Sequence, residues 1–247
     1  MKVQKGLIIA SFTEILSVFV YYVVYITVYS KIAEENTWLF AFLVYSGIGL
    51  LLCWCHIVCV FRNPGVFSKE LSEKYMNALC GRCLRIRIKH SHHCSKCKVC
   101  VFKMDHHCPW IHNCVGYGNQ KEYIQFLIYT AFYCLYSGSL ILWSKFYCAT
   151  KNTKFCRDQG IYLIDFSKLL SLGIISFFFV FIIYLLYEQY ESIKTGKSQV
   201  DRLKEYENFE KNEFWKNLNE VFGNQGGIFW ILPISCREDL EKVIKIG

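Results

Sequence analysis

Charge is scarce in this chain: Asp, Glu, Lys and Arg make up only 19% of its 247 residues, and proline occurs three times. So little charge excludes a disordered chain or a coiled coil, and so little proline excludes a collagen. No small-residue cleavage pattern follows the first apolar run, so that run is not a secretory signal and should stay in the mature chain. No retention signal is legible either. What is abundant is apolar: 53% of the residues are hydrophobic and 17% aromatic. A hydrocarbon core of about 30 Å takes about 20 apolar residues per helix. Four runs, residues 7–29, 38–61, 123–143 and 169–187, have that length. They predict an all-α integral membrane fold with four transmembrane helices, so any chemistry must sit in the loops, the tails or at the membrane face.

With four spans, one side of the membrane carries 22 Lys and Arg in the two tails and the segment between the second and third runs, against 4 on the other side. The positive-inside rule then places both termini and that central segment in the cytosol. Thiols stay reduced there. Of the fourteen cysteines, seven lie within the 35 residues from Cys80 to Cys114, and in a reducing compartment they read as metal ligands plus a reactive thiol. The expected layout is residues 1–76 as tail, two spans and a linker; 77–122 as a small cytosolic cysteine-rich domain stapled by zinc; 123–187 as the last two spans with a noncytosolic loop; and 188–247 as a cytosolic C-terminal segment. Glu14 falls within or at the edge of the first span, and it reads as a carboxylate at the cytosolic interface reaching outward rather than one lining a cavity.

From Cys80 the chain runs CGRCLRIRIKHSHHCSKCKVCVFKMDHHCPWIHNC. Cys80 and Cys83 form one C-x2-C knuckle, and Cys94, Cys97 and Cys100 form two more that share a sulfur. Such a turn holds two thiolates on one side of a loop, as tetrahedral zinc requires. Two closed sites need eight ligands, whereas seven cysteines with His93 and His107 are nine, and His90, His92, His106 and His112 stand in reserve. This surplus admits a free thiol.

Asp105-His106-His107-Cys108, followed by Pro109-Trp110 and by Asn113-Cys114-Val115-Gly116 with Asn119, resembles the cysteine-rich domain of the DHHC protein S-acyltransferases (palmitoyltransferases). The likeness extends to Asn63-Pro64-Gly65, similar to that family's Asp-Pro-Gly. It extends also to Gly196–Asp201, where the family has Thr-Thr-x-Glu, and to the segment from Lys216 to Pro233. Three places depart from the family pattern: Arg87, Ile88 and His90 replace a Lys, Pro and Arg; Asn63 replaces Asp; and Ser198, Gln199 and Asp201 replace Thr, Thr and Glu. The resemblance implies one structural zinc on Cys80, Cys83, His93 and Cys100, a second on Cys94, Cys97, His107 and Cys114, and Cys108 as the free nucleophile. Palmitoyl-CoA or a similar long-chain acyl-CoA would be the donor, and cysteines of cytosolic or membrane proteins the acceptors. His106 would be the base, and Asp105 would orient it.

Lowering a thiol pKa from about 8.5 to about 7 gains roughly fifteenfold in thiolate, and the loss of nucleophilicity returns roughly fivefold of it. Positioning must therefore supply most of the rate, which is a task for metal staples. The fatty chain would enter a cavity between spans that opens to Cys108, with Tyr133 at the place where the family measures chain length and Trp110 as a further contact. Tyr133 also reads as one more aromatic of an aromatic-rich span, and Trp110 as an interfacial anchor. Asn217 would bond backbone near the active site. Phe214, Trp215, Leu218, Val221 and Phe222 share a helical face, and Gly226-Gly227 breaks that helix before an apolar hook. Cys53, Cys55, Cys59 and Cys134 read as small apolar fillers with His56 capping nearby, and Cys148 and Cys156 as a pair able to form a disulfide. The chain is expected in an endomembrane (Golgi or endoplasmic reticulum) or the plasma membrane, in contact with lipid and not with nucleic acid, because its basic loop is tethered to the membrane on both sides. A membrane-tethered zinc scaffold or adaptor is the alternative.

Overall fold

The structure is a computed structural model and describes residues 11, 13–26, 36–75, 78–150, 162–204 and 214–234. Its helices are α1 (Thr13–Ile26), α2 (Asn36–Phe61), α3 (Lys69–Lys74), α4 (Gln120–Thr150), α5 (Tyr162–Thr195), α6 (Gln199–Leu203), α7 (Phe214–Phe222) and α8 (Ile228–Ile231). Among the described residues three helical stretches are long and apolar enough to cross a membrane: Leu39–Phe61, Gln120–Tyr147 and Asp165–Thr195. Many of their large apolar side chains, Leu50, Phe61, Phe146, Leu169, Phe177 and Val180 among them, face outward, as lipid requires. The described part of the first expected span, α1, is shorter than these, and both expected ends lie outside the described residues. Helix α5 overruns the expected 169–187 at both ends, because polar residues flanking an apolar run continue the helix without belonging to the hydrocarbon.

The chain divides into two compact units, one with Trp54–Gln125 and the chain from Leu186 onward, the other with Ser11–Cys53 and Phe126–Leu185. In the second unit tyrosines tie the helices together. Tyr45 is fully buried and stacks on Tyr21 (5.5 Å) and Tyr133 (4.9 Å), while Ser137 donates to its hydroxyl at 3.0 Å. The hydroxyls of Tyr133 and Tyr136 donate to the carbonyls of Ser17 and Ala41. In an apolar surrounding each of these groups needs a partner, so the ladder of hydroxyls fixes the register of α1, α2 and α4. Glu14 departs from its expected outward reach: it accepts a hydrogen bond from the Cys53 thiol at 3.3 Å, which also gives Cys53 more than a filler's part.

The first unit departs from the expected all-α class. Its cysteine-rich segment folds as two antiparallel hairpins, β1 (Ser91–Cys94) with β2 (Val99–Phe102) and β3 (His106–Cys108) with β4 (Asn113–Val115). A C-x2-C knuckle is itself a tight turn, and chain entering and leaving it pairs as strands. In the Cys80–Cys83 and Cys94–Cys97 knuckles the residue after the second cysteine, Leu84 or Lys98, lies in the left-handed region and its N–H returns to the carbonyl of the first cysteine. The strands are only three or four residues long, below the reach of periodicity arguments.

The Asn63-Pro64-Gly65 turn packs on the end of the second hairpin. Asn63 Oδ1 accepts from the N–H of Gly65 and Val66 (3.0 and 2.7 Å), an Asx turn that the amide supports as an aspartate would. Gly118 must lack a side chain here, since a Cβ on it would lie 2.1 Å from the Asn63 carbonyl oxygen. Asn113 caps the C-terminal end of α2 by donating toward the carbonyls of Cys59, Val60 and Arg62, which the helix leaves without partners. At the start of α4, Lys121 and Gln125 donate to carbonyls of the α8 hook between Phe229 and Ile234. The buried face of α7 is Asn217, Val221 and Phe222, whereas Trp215 is 67% exposed. The expected single apolar face is thus split, because Asn217 turns inward to donate to the carbonyl of Ile193 at 2.7 Å. Cys156 and the side chain of Cys148 lie outside the described residues, and with them the expected disulfide.

Candidate active site

Strand geometry explains how two adjacent histidines come to have different surroundings. Side chains alternate along a strand, so in β3 His106 and Cys108 share one face and His107 takes the other. On the far face, His107 stands directly opposite Cys114 of β4, and the Cys94–Cys97 knuckle completes a group of four. The first hairpin repeats the device: His93 stands opposite Cys100, and the Cys80–Cys83 knuckle closes on them. In each group the four ligand atoms lie within 4.8 Å of one another. Cys97 Sγ is 3.3 Å from His107 Nδ1 and 3.5 Å from Cys114 Sγ, and Cys80 Sγ is 3.7 Å from His93 Nδ1. A tetrahedron with bonds of about 2.3 Å to sulfur and 2.0 Å to nitrogen has edges of roughly 3.5–3.8 Å. Both groups could hold a metal ion, and four protein ligands each would leave no open position.

Cys108 belongs to neither group and is buried. On its own face, His106 directs Nδ1 to Asp105 Oδ2 at 2.9 Å, which leaves Nε2 as the nitrogen for the Cys108 sulfur. Asp105 is 3% exposed and collects two more donors: Gln189 Nε2 at 2.8 Å on Oδ2 and the Gln199 backbone N–H at 2.7 Å on Oδ1. Burial alone would raise its pKa, but the hydrogen bond and charge of His106, with the Gln199 and Gln189 bonds, hold it below the usual carboxylate range. For His106 burial works against the charged ring. The bonds and charges of Asp105 and Cys108 outweigh it and raise the pKa to about 9.

Around this pair the altered segment Ser198–Asp201 is fully bonded. Ser198 caps α6 and donates to Asp201 Oδ2 at 2.9 Å, and Asp201 Oδ1 lies 2.7 Å from His92 Nε2. His90 Nδ1 is 3.5 Å from the same carboxylate. Burial opposes the charge of Asp201, yet the His92 and Ser198 bonds lower its pKa. His90 and His92, held in reserve as ligands, thus belong to the clamp that seats α6, and α6 brings the Gln199 N–H to Asp105. Gln189 and this clamp were missed in sequence reasoning. The available signal was a buried-type glutamine just beyond an apolar run.

Of the other expected residues, Trp110 is half-buried, and its carbonyl oxygen lies 3.1 Å from His56 Nε2, so His56 anchors the Pro109–His112 turn. Asn217 sits on the α5 end of the same unit. Tyr133 belongs to the second unit, in the tyrosine ladder.

A family model described as DHHC palmitoyltransferase matches residues 73–206. Palmitoyltransferase ZDHHC7 of Rattus norvegicus is 28% identical over 249 residues, covering 92% of this chain and 78% of its own length. Palmitoyltransferase ZDHHC3-A of Danio rerio is 28% identical over 215 residues, covering 79% of this chain and 67% of its own. Palmitoyltransferase ZDHHC15 of Homo sapiens is 35% identical over 163 residues, covering 63% and 46%.

Proposed function

Since the chain belongs to the DHHC palmitoyltransferase family and is a protein S-acyltransferase, we propose that it works through an acyl-enzyme on Cys108. A long-chain acyl-CoA is the donor and a cysteine of a cytosolic or membrane protein the acceptor. The observation that carries this reading is the position of Cys108: outside both four-ligand groups and beside a histidine whose second nitrogen is held by a buried carboxylate. His106 takes the thiol proton as the sulfur attacks the thioester carbonyl, and Asp105 steadies the imidazolium. The proton then passes from His106 to the departing CoA sulfur. Transfer repeats the sequence with the acceptor thiol as nucleophile and Cys108 as leaving group.

Zinc is the metal that three thiolates and an imidazole suit in each group, and its part is to fix the hairpins. Cys80, Cys83, His93 and Cys100 would hold one ion, Cys94, Cys97, His107 and Cys114 the other. With no open position, neither carries a chemical step. In the full reading α1 is the core of a fourth span, both termini and the segment 77–122 face the cytosol, and the fatty chain lies among the spans, where Tyr133 meets it. Asn217 secures the end of α5, and through it α6, which carries Gln199.

The test is incubation of the purified chain with labelled palmitoyl-CoA. Hydroxylamine-labile label is expected on the parent and absent from Cys108→Ala. An unlabelled parent would instead point to a zinc scaffold.

A further inference from the structure

Tyr123 opens α4 one turn after Asn119 and is 1% exposed. Its ring meets His106 edge-on, with centroids 5.2 Å apart and planes at 65°. Its hydroxyl is buried and has no hydrogen-bond partner among the described residues. Among the groups whose charge acts on that hydroxyl, Cys108 ranks first and Asp105 next. A phenol has one O–H to donate, and a buried donor left open in a well-bonded structure calls for a reason. The hydroxyl is close enough to the reactive sulfur to interact with it, short of a well-formed hydrogen bond, and His106 interacts with the same sulfur. A thioester carbonyl attacked by that sulfur would bring its oxygen within reach of the same hydroxyl.

We propose that the Tyr123 hydroxyl is a catalytic hydrogen-bond donor to the oxyanion formed when Cys108 attacks the acyl thioester. The inference rests on the acyl-enzyme reading and deepens it. Cys108 gives its proton to His106, and its sulfur lone pair forms the new bond to the carbonyl carbon. The C=O π pair moves onto oxygen, where the Tyr123 O–H meets it. When that pair returns, the bond from carbon to the CoA sulfur breaks, and the CoA thiolate takes the proton from His106. Tyr123 donates a hydrogen bond throughout and loses no proton. Such a donor acts best when it is held in place before charge develops and is not spent on a ground-state bond. The ring is held by its burial and by His106, so only the hydroxyl is free to act.

Tyr123→Phe removes that hydroxyl and leaves the ring. With full-length protein and labelled palmitoyl-CoA, the single-turnover rate of Cys108 acylation should fall on the order of 10²- to 10³-fold. The acyl-CoA concentration at half-saturation should hold, since the lost contact exists only in the transition state. Alkylation of Cys108 by iodoacetamide, read by peptide mass spectrometry, should proceed at the parent rate, because it passes through no oxyanion. Acylation at the parent rate overturns the proposal. A parallel fall in acylation and alkylation also overturns it, and assigns the hydroxyl to the thiol or to packing instead. A parent chain that takes no label defeats the acyl-enzyme reading and this inference with it, whereas a labelled parent with an unimpaired Tyr123→Phe defeats this inference alone.

Discussion

Asp105→Asn keeps the shape of the side chain and removes its charge, so it isolates what the carboxylate does. Three N–H groups converge on the two oxygens: His106 Nδ1 and Gln189 Nε2 on Oδ2, Gln199 N on Oδ1. The better placement of an asparagine keeps its oxygen at the Oδ2 position and sets its NH2 against the Gln199 N–H. One charge-assisted bond is then lost and two become neutral. With charged bonds worth about 1.5–3 kcal/mol and neutral ones about 0.5–1.5 kcal/mol, the site loses roughly 4 kcal/mol of orientation and charge. General acid–base assistance is worth about 10²–10⁴ in rate, so acylation should slow on the order of 10²- to 10³-fold. Gln189→Leu removes one bond only, and should cost roughly tenfold, near 1.4 kcal/mol. The assay is single-turnover labelling of Cys108 with palmitoyl-CoA, with metal content measured beside it. Asp105→Asn acylating within about threefold of the parent, a difference under 1 kcal/mol, and with metal intact would refute the role given to Asp105.

Removing metal with a strong chelator should open both hairpins to proteolysis between residues 78 and 115 and abolish labelling, since strands of three or four residues do not hold by pairing alone. Metal analysis of the untreated protein should return two ions per chain; hairpins that resist protease after chelation would remove the staple argument. Gly118→Ala forces a Cβ to 2.1 Å from the Asn63 carbonyl oxygen, and the backbone shift should cost about 3 kcal/mol or more. A melting temperature equal to the parent's would contradict that packing. Tyr133→Ala should shift preference toward longer acyl chains in a competition among acyl-CoAs; an unchanged preference would take Tyr133 out of chain measurement, leaving it the hydroxyl bond to Ser17.

Much of the site could be read from one dimension because its chemistry is local in sequence. Three C-x2-C knuckles, a surplus of sulfur and the run Asp105–Cys108 lie within a few dozen residues, and ligand spacing within a knuckle follows from the turn itself. Three of the four apolar runs were equally legible, since the length a bilayer demands is a property of composition. Pairing between knuckles is another matter. His93 joins Cys100, and His107 joins Cys114, because they stand opposite each other in hairpins too short to leave a periodic signal. Whether Asn63 and the Ser198–Asp201 segment still serve in place of Asp and Thr-Thr-x-Glu also depended on partners far along the chain: an Asx turn for Asn63, and for Asp201 the imidazole of His92, 109 residues away.

Sequence alone determined that this chain has membrane-spanning length in its apolar runs, that its cysteine-rich segment offers one thiol more than two tetrahedral sites need, and which family its motifs resemble. Only the tertiary structure decided that Gln189 and the Gln199 N–H hold Asp105, that Glu14 turns to Cys53, and that the buried Tyr123 ring packs edge-on against His106. The reason is physical: coordination number and helix length are set by residue type and spacing, whereas the satisfaction of a buried polar group is a property of every chain segment that packs against it.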